Sequence, residues 1–342
     1  LISHYPKNFT AYHSLSAIWA SQGNRDGSWR IAGLLTLFNN AMDAEKRLYE
    51  KHVSSKPIST AYQIDDEGWI NHVRAREQKT ALTDVFRLIS PIISGSFFPK
   101  NAKALGLGKK QELTKTSHPA LANTAETTAR LLGIPTPALY LHGDSPVAVT
   151  QAAEGSLTVS EAFSKETQEK LIAYQMARQM TYLRPEHCLA RHFDPHALQG
   201  LYMAAGCAVN PDFAVRVHQS LPADQANQAV HFIQEAALLL KQQLKPADSE
   251  ALKKAIAEVE TNFGTRTIEE WRRGVELTAT FVSLIAVGDI LLVGTTIMED
   301  ALALSTLTNA EKMQATVGYG LSERYTQLRA LMKVGVGNTA EG

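Results

Sequence analysis

The chain is predicted to be mostly α, an α+β protein in which helices surround one small sheet. Three observations lead there. Apolar residues recur at helical spacing through the first fifty residues. Three short β-like runs lie close together between Ala138 and Ser160, separated by glycine, proline and aspartate turns. Beyond Lys165 nearly every segment returns to the helical period, so the sheet is a single early insertion in a helical second half.

Taken in order, Tyr12, Leu15, Ser16, Trp19 and Gly23 set large residues one turn apart with a small one for close packing. Asn24-Arg25-Asp26-Gly27 makes a turn, a partner helix carries Trp29, Ala32 and Leu35, and a third pattern runs through Ala41, Ala44, Leu48 and Tyr49. These spacings resemble a tetratricopeptide repeat. The resemblance implies a helical-repeat segment over residues 1–50, truncated at its N-terminus, because a lone repeat cannot bury its own face. Residues 51–117 are expected to be a helical connector and loop. There Asp65-Asp66-Glu67 caps a helix through Trp69 and Val73, since acidic groups suit a helix N-terminus. A second helix spans Ala81–Ile93, and Gly95, Pro99, Gly106 and Gly108 mark a basic loop with no phosphate-binding context.

From His118 a helix through Leu121, Ala125, Ala129 and Leu132 stops at Gly133. The runs Ala138–His142, Val147–Gln151 and Ser156–Ser160 then predict a meander. Helices follow at Lys165–Leu183, Pro195–Ala208, Ala223–Leu244, Ser249–Asn262, Ile268–Val287 and Leu321–Met332, within a second domain of residues 118–335 and ahead of a flexible tail at 336–342.

Bulk properties exclude several functions. The 342 residues are 44% hydrophobic and 20% charged, enough material for a sizeable core. Lys+Arg and Asp+Glu both number 34, so the basic footprint of a nucleic-acid binder is missing and no nucleic acid is expected as partner. Cys188 and Cys207 cannot build a disulfide framework or a Cys-x-x-Cys site, which points to a reducing, cytoplasmic compartment. No signal peptide is visible, and the chain opens on Leu1 as a segment of something longer would. Leu277–Met298 is apolar enough to raise the question of a membrane anchor. Its central Asp289 costs roughly 2.5–3.5 kcal/mol on insertion scales, and Thr278, Thr280, Ser283 and Gly288 dilute it, so a buried core helix, or two, is expected instead.

Leu132-Gly133-Ile134-Pro135-Thr136-Pro137-Ala138-Leu139-Tyr140 resembles the approach to the sheet in gluzincin metallopeptidases of the heat-shock-protease and prenyl-protein-protease type. In that family a later helix bears H-E-x-x-H, two histidines one turn apart on a zinc ion and a glutamate as general base. The matching residues here are Arg178-Gln179-Met180-Thr181-Tyr182. Arg178 is a permanent cation, Tyr182 is a poor ligand while its phenol is protonated, and Gln179 cannot take a proton from water. The family's third ligand is a glutamate in E-x-x-A-D, which Glu276-Leu277-Thr278-Ala279-Thr280 resembles with the acid kept. The resemblance covers residues 118–290. It implies a zincin-like helical domain with a degenerate site at Arg178, Gln179, Tyr182 and Glu276, without metal or other cofactor. An Arg178–Glu276 salt bridge is expected where zinc would sit. The whole chain resembles the C-terminal part of bacterial tetratricopeptide-repeat proteins ending in such a domain.

The function expected from this is a non-catalytic interaction or scaffold module whose partner is a protein or an extended peptide. Two alternatives are a hydrolase with a metal site near His187, His192 and His196, and a protein anchored through residues 277–298. Asp194-Pro195 reads as a helix cap followed by proline at the first helical position, which places His192 outside the helix of His196.

Overall fold

A computed structural model describes residues 8–78, 81–213, 226–262, 267–300 and 303–337. Within the expectations above, residues 1–7, Ala223–Gln225 and 338–342 lie outside the described residues. The chain is mostly helical with one three-stranded sheet. Helices α1 (Phe9–Ser21), α2 (Arg25–Leu37) and α3 (Asp43–His52) come first. Asn8 and Asn24 cap the first two by accepting from the amides of Ala11 and Gly27. Gly27 lets the two helices cross closely, because a Cβ there would lie 2.4 Å from the Trp19 ring.

The helical face that would need a neighbouring repeat is covered by the chain's own C-terminal half. Arg329 forks onto Asp26 at 2.7 and 2.9 Å, and Arg30 donates to Thr326 Oγ1 at 2.8 Å. One apolar core runs from Tyr12 and Leu34 through Trp69, Phe86, Leu132, Val159, Met176, Trp271 and Val282 to Met332. Neither the boundary expected after residue 50 nor that after residue 117 interrupts it.

In the connector, Asp65 accepts from the Gly68 amide and caps the turn Asp66–Gly68, which runs on into Trp69–Val73. Helix α4 (Ala81–Phe97) is longer than expected and takes in Gly95, which the sequence assigned to the loop. Helix α5 (Pro119–Leu132) ends at Gly133, whose φ of +68° is left-handed and whose missing Cβ leaves room for the Ile64 carbonyl.

The strands β1 (Leu139–Leu141), β2 (Val147–Val149) and β3 (Leu157–Val159) lie where expected, but their order corrects the meander. The order is β1-β3-β2, with β1 parallel to β3 and β2 antiparallel to it. Alternation marks strands without ranking them. Leu157 and Val159, both fully buried, suit the central place.

Helix α6 (Glu169–Met180) is shorter than the predicted Lys165–Leu183, with tight turns at Phe163–Lys165 and Thr181–Leu183. It is followed by α7 (Pro185–His192), α8 (Pro195–Val209), α9 (Ala226–Gln243), α10 (Pro246–Asn262) and α11 (Thr267–Val287). Then come α12 (Ile290–Glu299), α13 (Asn309–Gly320) and α14 (Glu323–Leu331). Asp194 caps α8 through the Ala197 amide, with Pro195 at its first position, as the sequence indicated.

The apolar stretch 277–298 is two helices. Gly288, at φ +71°, breaks it, and Asp289 caps α12. No helix among the described residues is long and apolar enough to cross a membrane. Asp289 is buried, pairs with Lys170 Nζ at 2.8 Å and accepts from the Tyr49 hydroxyl at 2.9 Å. One carboxylate thereby joins α3, α6 and the α11–α12 break.

Removing one partner of a buried ion pair leaves the other charge stranded, at a cost of about 3–5 kcal/mol. Asp289→Ala is expected to destabilise the protein by that order, and Lys170→Met/Asp289→Asn to recover most of the loss. Urea unfolding of both variants checks this.

Candidate functional site

Helix α6 is buried on all sides. Lys170 and Ile172–Met180 are almost entirely inaccessible, yet Gln175, Arg178 and Gln179 are polar. A helix enclosed in this way must hand its polar groups to other parts of the protein. Arg178 faces Glu276, a fully buried carboxylate in the middle of α11. The guanidinium Nη2 lies 3.7 Å from Glu276 Oε1, so the expected pair is formed.

Two further charges complete the cluster. Arg178 Nη1 makes its tightest contact with Asp300 Oδ2, just beyond α12. Lys312 of α13 puts its Nζ 2.6 Å from Glu276 Oε1 and 3.8 Å from Asp300 Oδ2. Two cations thus face two carboxylates, all nearly inaccessible. Glu276 Oε2 takes directed bonds from the amide and hydroxyl of Ser305 at 2.8 and 2.7 Å. Its Oε1 has charge nearby but no N–H aligned on it as a hydrogen bond.

Glu276 is therefore neutralised by two cations, of which Lys312 is the closer. Lys312 was readable in principle. Thr308-Asn309-Ala310-Glu311 is a capping box, with Glu311 returning to the Thr308 amide at 2.8 Å, and it announces α13 one residue before Lys312.

Burial pushes the Tyr182 phenol up to about 12, with Arg178 opposing and Glu276 adding to the rise. Burial likewise raises Tyr174. Both stay protonated at neutral pH and neither is a ready metal ligand. Burial works against the charge of Arg178, but the carboxylates of Asp300 and Glu276 hold it cationic. Gln179 adds nothing evident to the cluster, as its Oε1 is buried with no hydrogen-bond partner.

The three histidines are placed apart in role. His187 is fully buried, and its ring Nδ1 lies 3.0 Å from the Thr181 carbonyl, to which it donates when neutral. His192 meets the Phe98 ring edge-on at 5.0 Å, and His196 is exposed on α8. Burial lowers His187 and His192 to about 4. Among the described residues no group of three or more His, Cys, Asp or Glu is disposed to hold a metal ion. Cys188 and Cys207 are free thiols, and burial pushes Cys188 up to about 11, the wrong direction for a nucleophile.

Beside the cluster an open cleft of about 470 Å³ lies between the β1–β2 turn, α6 and the end of α12. Pro146, Leu171, Gln175, Glu299 and Asp300 line it, so Asp300 belongs to both cluster and cleft. Pro146 leads directly into β2, an edge strand. The outer edge of β1 is covered, because Leu113 donates to the Leu139 carbonyl and Leu141 to that of Gln111. In β2, Pro146 and Thr150 are bonded to the β3 side, so alternation turns the backbone groups of Val147 and Val149 outward. Among the described residues no strand pairs with them, but Val147 is fully buried and Val149 nearly so, so packing covers that edge.

Two outcomes follow. Lys312→Met is expected to cost about 3–5 kcal/mol by leaving the Glu276 carboxylate under-neutralised. Gln179→Leu, which removes an unpartnered carbonyl, should stay within about 1 kcal/mol of the parent. Denaturant midpoints of the two variants separate them. For His187 the unfolded chain takes up a proton near pH 6.5 and the folded chain only near 4. Stability therefore falls as pH drops through that window, by about 1.4 kcal/mol per unit for one group, and His187→Gln should flatten the slope. Urea midpoints between pH 7 and 4.5 test this.

Compared with family models, curated proteins and solved structures, the chain has no match.

Proposed function

We propose that this chain is a non-catalytic binding module on a zincin-like scaffold, and that it holds an extended segment of a partner protein in the cleft between the β1–β2 turn, α6 and the end of α12. The observation that carries the reading is the neutralisation of Glu276 by Lys312 and Arg178. At the positions that resemble the zinc-binding helix, a cation supplied by the chain faces the retained acid. Arg178, Gln179 and Tyr182 offer neither a metal ligand nor a base for water.

What remains usable is the open cleft, whose lining combines the apolar Phe163 and Leu171 with the polar Ser145, Gln175 and Thr296. The hairpin α1–α2 is read in the same way as a repeat-like unit docked on the scaffold, and the two free thiols suit a reducing compartment.

The test uses an array of unstructured peptides, with hits measured by fluorescence anisotropy. Leu171→Asp places a charge on the partly exposed apolar wall of the cleft. It is expected to weaken those hits at least tenfold while circular dichroism shows the variant folded. Unaltered binding by this variant, or cleavage of the peptides seen by mass spectrometry, would contradict the reading.

A further inference from the structure

We draw no further inference here: the strongest candidate, the cavity of about 180 Å³ that Cys188 and His192 line between α4, α7 and the end of β2, rests on a single thiol beside a single imidazole, and nothing in the structure shows what ligand joins them.

Discussion

Glu276 is the constraint around which the centre of the molecule is organised. A carboxylate in the middle of α11, with no access to water, carries a desolvation cost of several kcal/mol that only nearby cations and directed donors offset. Those partners come from places remote in sequence: Arg178 on α6, Lys312 on α13 and Ser305 in the segment between α12 and α13. Once α6 and α13 are drawn to the same face of α11, the Tyr174 and Tyr182 rings have little freedom left. Asp300 then serves to balance the second cation. The charges of this cluster serve cohesion.

The same device recurs elsewhere. Lys170 and Tyr49 meet on Asp289, Arg184 and Arg74 meet on Glu186, and Arg329 and Arg30 meet on Asp26. Arg184 also lies over the Trp69 ring at 4.4 Å; against the effect of burial, its charge and hydrogen bond hold Glu186 at about 2, aided by His187 once that ring is protonated. Backbone hydrogen bonds within helices say nothing about how the helices are arranged, and apolar surfaces tolerate sliding. Buried ion pairs with defined geometry do not, so these nodes act as register marks between helices. That role as a source of specificity is our reading of the pattern.

The local features were legible from the residues themselves. Asp65, Asp194-Pro195 and Gly133 cap or stop helices where their chemistry demands it. Gly288 and Asp289 divide what a hydropathy profile reads as one apolar stretch. The pairing of Arg178 with Glu276 also followed, because a buried acid on one helix has to find a cation. What stayed hidden was set by three-dimensional adjacency. The central place of β3 depends on β1 choosing a partner beyond its nearest neighbour. Lys312 and Asp300 lie more than a hundred residues beyond Arg178, and although the Thr308–Glu311 capping box announces α13, it does not tell that Lys312 turns to Glu276. The cleft is built from a turn, a helix face and a helix end, none of which stands out by itself.

The clasp of Asp26 by Arg329 spans 303 residues of chain. At ribosomal rates of about 5–20 residues per second, roughly 15–60 s separate the appearance of the two partners. During that interval α2 has been made, but the C-terminal residues that neutralise Asp26 and cover its neighbours do not yet exist. The nascent chain thus carries an unfinished face from the making of α2 until α14 is made. Its vulnerability during synthesis is set by the place of Arg329 in the sequence more than by the strength of any bond in the finished fold.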